Sequence, residues 1–307
     1  MLSASAEKLS LGTAAFAAGY GATRGANAAL DGGAVTELLA TAWEAGIRHL
    51  DTAPDYGDAE QLLGDVMRQA GSLGWRISTK IKTPPPQEID VRGWVHREVE
   101  GSMSRLGLDR LSTVFLHRPE VVRSSSGQTL LAALLELRDS GIIGAVGASV
   151  YGPDELGPLF SVGRFDVVQA PVSVVDRRML APEVTRQLQE HGCALEARSV
   201  FLQGLLVESP NTRPGWARSF ANSLSSWDSW TAAQGATSSS DRGRICLGWV
   251  LERSEISRVI VGAESAAQLR VLLDVFARTD PTTVPDAVQV YDLTVIDPRR
   301  WAQSMTA

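Results

Sequence analysis

Residues 48–64 read RHLDTAPDYGDAEQLLG. The apolar run IRHLDTA (47–53) breaks there into a loop, and AEQLLGDVMRQAG (59–71) beyond it has the apolar periodicity of a helix. A carboxylate, Asp51, and a phenol, Tyr56, stand on either side of the break. Taken singly, Asp51 reads as a strand-end cap and Tyr56 as a packing aromatic. Their meaning turns on whether the same strand–loop–helix unit recurs, and on what the other units carry at the corresponding place.

The unit does recur. Short apolar runs at 9–16, 47–53, 75–81, 111–117, 142–149, 165–171, 193–200 and 256–262 read as strands. Between them lie helix-like segments such as AVTELLATAWEAG, WVHREVEGSMSRLG, LLAALLELRDSG and DRGRICLGWVLERS. Several of these stop at a glycine in the position that ends helices. Strand and helix alternating through the whole chain predict an α/β protein, a single-domain (β/α)8 TIM barrel over residues 1–307. A doubly wound open sheet is the rival, disfavoured because no GxGxxG follows the first strand. The interval after strand 7 is longer than the rest. Residues 207–240, rich in Ser and Trp, read as an inserted rim loop with some helix, and 283–307 as a C-terminal extension.

The composition is that of a globular protein, 44% apolar and 21% charged. A formal charge of −6 gives no basic face for nucleic acid. Cys193 and Cys246 fit no metal spacing, and buried reduced thiols are favoured over a disulfide. The start, MLSASAEKLSLG, lacks an apolar leader core, and no run approaches the length of a membrane span. The expectation is a cytoplasmic protein acting on a small molecule, without a metal, a nucleic acid or a membrane partner.

In such a barrel the chemistry sits at the C-terminal ends of the strands. Asp51 ends strand 2, Tyr56 follows in its loop, Lys80 ends strand 3 and His117 ends strand 4. Consecutive strands thus bring a carboxylate, a phenol, an ammonium and an imidazole to one rim. A free phenol titrates near 10, and a neighbouring ammonium favours its ionised form. Asp51 would anchor Lys80, and His117 would orient a substrate oxygen. The set suits carbonyl reduction or alcohol oxidation by proton transfer and oxyanion stabilisation. His49 shares a strand face with Asp51 and reads as support beneath the site.

These residues resemble the aldo-keto reductase superfamily, whose D-T-A-x-x-Y-G motif is matched by DTAPDYG and whose catalytic Asp, Tyr, Lys and His match Asp51, Tyr56, Lys80 and His117. The resemblance implies a (β/α)8 barrel and an NADPH- or NADH-dependent oxidoreductase with Tyr56 as general acid. It also implies cofactor contacts along the rim. Gly12 and Thr13 lie in LGTAAF, Ser149 in GASV, and Gln169 in VVQAP. Ser199, Phe201 and Gly204 lie in ARSVFLQGLL; Gly262, Glu264, Ser265 and Gln268 lie in VIVGAESAAQL. Phe16, Tyr20 and Trp216 are candidate walls of a substrate pocket, although the Trp residues of the insertion equally suit packing against the barrel.

Three positions depart from the family pattern. Val150 stands where the family has Asn, Glu264 where a basic residue meets the ribose 2′-phosphate, and Leu272 where an Asn lies near adenine. A carboxylate repels a phosphate yet accepts hydrogen bonds from a free 2′-hydroxyl, as in NAD-selective Rossmann proteins, so Glu264 tilts the expectation toward NADH. The alternative is that Glu264 faces solvent at a helix start, with Arg270 near enough to restore phosphate binding. The departures also keep open a barrel with weakened cofactor binding, either a non-redox acid–base enzyme or a cofactor-sensing regulatory subunit like those of potassium channels.

Overall fold

The computed structural model describes residues 6–17, 29–70, 74–274 and 283–301. Eight parallel strands close into a barrel in chain order, with β8 returning to β1. They are β1 Leu9–Gly12, β2 His49–Asp51, β3 Arg76–Ile81, β4 Leu111–Leu116, β5 Ile143–Ser149, β6 Val167–Pro171, β7 Ala194–Arg198 and β8 Ile256–Gly262. Each lies inside or on the run expected from the sequence.

Helices α1 Gly32–Glu44, α2 Ala59–Ala70, α3 Val91–Leu106, α4 Ser125–Asp139, α5 Leu156–Val162 and α6 Pro182–Glu190 cover the first six strands. Helix α7 Ala221–Ala233 lies within the interval after β7, followed by α8 Ser239–Leu251, α9 Ala266–Leu273 and the short α10 Leu293–Ile296. Asp31 and Asp90 cap α1 and α3 by accepting backbone N–H bonds, and Gly107 at φ 69° ends α3 in the left-handed region that glycine tolerates. The apolar core is mostly the layer between sheet and helices, where outward-facing Leu11, Leu50, Ile77, Val114, Val146, Val168, Ala197 and Val261 meet helix residues such as Leu38, Leu63, Val95 and Leu134.

Strand pairing fixes which residues share the other face. Ser10, His49 and Arg76 are in register, and so are Gly12, Asp51 and Ser78. Phe115 pairs with Lys80 and with Gly147, Ser149 with Gln169, Gln169 with Glu196, and Glu196 with Arg258. Gly147 is required where it stands, because a Cβ there would lie 2.5 Å from the Phe115 ring. The lumen is therefore polar and charged along β2, β6, β7 and β8, where barrels of this kind more often stack branched aliphatic side chains.

The interval after β7 is organised around buried groups. Trp227 of α7 is fully buried and its Nε1 donates to Leu206 O at 3.0 Å. Asp228 takes two bonds of 2.7 Å from Arg213 and one of 2.8 Å from Arg242. The chain at 283–301 packs on the segments after β6 and β7, with Val290 N donating to Val175 O and Trp301 against Trp216 and Phe220. Cys193 and Cys246 are free and buried.

Candidate active site

Asp51, at the last position of β2, and Lys80, one residue short of the end of β3, are 4% and 2% exposed. Lys80 Nζ donates to Asp51 Oδ2 at 2.8 Å and to Thr52 O at 3.0 Å. It also lies 4.9 Å from the centre of the Tyr56 ring. Burial alone would lower the Lys80 pKa; the charges of Asp51 and Tyr56 and their hydrogen bonds outweigh it and hold the ammonium above its ordinary value. The cation is thus permanent, and it is aimed at the phenol.

His117 follows β4, with its ring edge-on to Tyr56 at 6.0 Å between centroids. Its Nδ1 is 3.1 Å from Asp55 Oδ2. Burial first, then the nearby Lys80 charge, push its pKa below the usual histidine value despite Asp55 and Asp51. A neutral imidazole beside a phenol can donate or accept a hydrogen bond to a substrate oxygen without adding a second cation.

Asp51, Tyr56 and His117 open into a cavity of about 410 Å³ at the C-terminal mouth of the barrel, and Lys80 lies beneath its floor. The cavity runs from Gly12 past Ser149 and Gln169 to Ser199, Phe201 and Gly204, and on to Gly262, Glu264, Gln268 and Leu272. Its β7 side is an unusual backbone: Ser199, Leu202 and Gln203 have φ of 57°, 47° and 52°, followed by Gly204 at 98°. Within this turn Leu202 N donates to Ser199 O, Gly204 N to Phe201 O and Leu205 N to Leu202 O, so the left-handed backbone closes on itself. Next to it Ser265 caps α9 by accepting from Gln268 N, and Gln268 Oε1 accepts from Glu264 N at 2.8 Å. The cavity thus has the β7 turn on one wall and the polar side chains of Ser149 and Gln169 on another.

The structure gathers most of the sequence candidates here and sets others aside. Thr13 is fully buried and does not line the cavity; its N–H donates to Asp51 O, so it braces the strand end. Ser265 acts through its cap and is likewise off the cavity wall. Neither Phe16 nor Trp216 lines the cavity. Phe16 is 1% exposed and belongs to the core, because the turn Ala14–Phe16 folds it under the barrel rim. Trp216 packs against Phe220 and Trp301, so it fastens the C-terminal segment. Tyr20 lies outside the described residues. Arg270 turns away from the cavity toward Glu37 and Thr41 of α1.

Other wall residues escaped sequence reading. Arg198 lines the cavity, donates to Val150 O at 3.1 Å and stacks over Tyr151, which carries Arg299 near its ring as well. Glu196 lies deeper, on the same face of β7; burial pushes its carboxyl up, against the pull of Arg258. The signal that could have found both is the alternation in LEARSV, whose charges at 196 and 198 share one strand face.

Comparison with known proteins decides the family. The sequence profile of the Aldo/keto reductase family matches residues 8–288. This chain belongs to the aldo/keto reductase family. A D-threo-aldose 1-dehydrogenase from a Pseudomonas species is 30% identical over 244 residues, 66% of this chain and 71% of that protein. The NADH-specific methylglyoxal reductase of Escherichia coli K12 is 25% identical over 282 residues, 80% of this chain and 83% of that protein. Among solved structures, a glycerol dehydrogenase from Gluconobacter oxydans shares the fold with a TM-score of 0.67 at 20% identity, covering 95% of this chain and 92% of the other. Among the described residues no helix is long and apolar enough to cross a membrane, and no cluster of His, Cys, Asp and Glu is set to hold a metal ion.

Proposed function

We propose that this aldo/keto reductase is an NAD(P)H-dependent oxidoreductase that reduces an aldehyde, ketone or keto-sugar to the alcohol, with Tyr56 as proton donor. The observation that carries the reading is the buried Lys80–Asp51 pair held against the Tyr56 ring at the floor of the cavity. A reduced nicotinamide, when bound, supplies the hydride to the carbonyl carbon. Tyr56 gives its phenolic proton to the substrate oxygen, and Lys80 stabilises the phenolate left behind. Asp51 keeps Lys80 charged and aimed, and neutral His117 orients the substrate oxygen. The same groups serve alcohol oxidation in reverse.

Ser149 and Gln169 would hold the nicotinamide end, the Ser199–Gly204 backbone the pyrophosphate, and Gly262, Glu264 and Gln268 the adenosine end. Glu264 on that wall argues for NADH over NADPH, since a carboxylate accepts from a ribose hydroxyl and repels a 2′-phosphate. The NADH specificity in the name of the E. coli relative supports the same preference. The intact set of catalytic groups favours an enzyme over a cofactor-sensing subunit, because proton transfer to a substrate oxygen is what a phenol paired with a buried ammonium serves.

The test is titration of the purified protein with NADH and with NADPH, read by tryptophan fluorescence. Micromolar binding of NADH and binding of NADPH at least about tenfold weaker, the effect of roughly 1.4 kcal/mol, is expected. The opposite preference removes Glu264 from the ribose; no binding of either overturns the reading.

A further inference from the structure

Beneath the four catalytic groups the lumen carries charges that the proposed chemistry does not use. Glu196 is 3% exposed, between Gln169 of β6 and Arg258 of β8. Arg258 Nη1 donates to Glu196 Oε1 at 2.6 Å, and Arg258 Nη2 lies 2.9 Å from His49 Nε2. A guanidinium only donates, so that imidazole nitrogen accepts and the ring is neutral. Gln169 Nε2 sits between two carboxylates, 2.9 Å from Asp51 Oδ1 and 3.5 Å from Glu196 Oε2.

Donor and acceptor chemistry fixes the orientation of the amide. A glutamine side chain has two hydrogens on nitrogen and one accepting oxygen, whereas an ionised carboxylate only accepts. Asp51 and Glu196 therefore both take the NH₂ end of Gln169. Its Oε1 has no partner among the described residues, and Gln169 lines the cavity. Val150, fully buried, contributes no amide side chain to this wall.

We infer that Glu196, held by Arg258, is a positioning residue: together with Asp51 it fixes the Gln169 amide so that Oε1 faces the cavity, and the ligand group received there must be a hydrogen-bond donor. The identity of that donor rests on the proposal that the cavity holds a dinucleotide; it is the carboxamide NH₂ of the nicotinamide.

Glu196→Gln is a sharp probe of this. Arg258 would claim the oxygen of the new side chain and leave an NH₂ facing the NH₂ of Gln169. The native orientation of Gln169 then becomes unfavourable. The experiment compares dissociation constants for NADH and for reduced 3-acetylpyridine adenine dinucleotide, whose methyl ketone lacks the amide hydrogens. Binding is read by tryptophan fluorescence, and folding by thermal melting.

The wild type is expected to bind NADH about tenfold more tightly than the analogue, the worth of one oriented hydrogen bond. In E196Q the ratio is expected to fall below about threefold, through weaker binding of NADH with the analogue nearly unchanged. General loosening of the barrel would weaken both ligands together and overturn the inference. So would a wild type that binds the two equally, a result that needs no variant to fold. No binding of either ligand, or of NADPH, by the wild type overturns the dinucleotide reading and the carboxamide as donor with it.

Discussion

At Lys80, burial and pairing pull in opposite directions. A lone ammonium 2% exposed would shed its proton, yet the carboxylate of Asp51 at 2.8 Å and the Tyr56 phenol keep it charged. Replacing it as Lys80→Met removes the cation and leaves Asp51 buried with only amide and backbone neighbours. Breaking a buried pair from one side costs about 3–5 kcal/mol, so urea unfolding should show a loss of that size, with turnover down at least about a hundredfold. Tyr56→Phe separates chemistry from cofactor binding. It removes the hydroxyl that hydrogen-bonds Lys80, so turnover should fall about 10²- to 10⁴-fold with NADH affinity unchanged and a stability loss of no more than roughly 3 kcal/mol. Activity that survives would take the proton-donor role from Tyr56. These four side chains were legible because each stands at or just past a strand end in a strand–loop–helix unit. Glu196 and Arg258 were not, since the rim drew the reading; only the alternation along β7 and β8 betrays that they point into the lumen.

At the scale of elements, the strands were legible to within a few residues, because β-branched and apolar runs bounded by Gly, Asp and Pro leave little freedom. Helix α7 was not. Its sequence, ANSLSSWDSWTAA, has many Ser residues and weak apolar periodicity, and the helix is held by Trp227 burial and by Asp228 bridging Arg213 and Arg242. The same network steadies the cavity wall, since Arg213 Nε donates to Leu205 O and Arg242 to Glu208 O. Asp228→Ala would leave two guanidiniums, 4% and 5% exposed, without their carboxylate. We expect a loss of about 3–5 kcal/mol together with weaker NADH binding, because Val207 and Glu208 line the cavity next to the left-handed turn. Fluorescence titration at a temperature where the variant is fully folded tests the coupling; unchanged affinity would make α7 a support for stability alone. Phe16 and Trp216 miss the cavity for related reasons, as an aromatic near a rim buries more surface by packing than by facing solvent.

Across the whole molecule the charged lumen couples stability to pH through His49. Burial first, then Arg258 and Arg76, push its pKa down to about 4, against an ordinary value of 6.5. The unfolded chain therefore takes up a proton near pH 6.5, and the folded ring only near 4. Between those values the unfolded state binds more protons, so stability rises with pH. The contribution is fully present above 6.5 and is lost as pH falls toward 4. One such proton changes stability by at most about 1.4 kcal/mol per pH unit, less where water reaches the ring. Glu196, whose carboxyl burial raises above its ordinary 4.5, works in the opposite sense from that value upward, inside the same range, and surface carboxylates add their own slopes. A difference between two proteins removes these shared terms. His49→Gln keeps an acceptor for Arg258 Nη2 but cannot be protonated in this range. Urea midpoints of both proteins between pH 7.5 and pH 5 should show the wild type losing stability below pH 6.5 more steeply than the variant. Parallel curves would mean that His49 charges as readily in the barrel as in the unfolded chain, and that the arginines beside it do not hold it neutral.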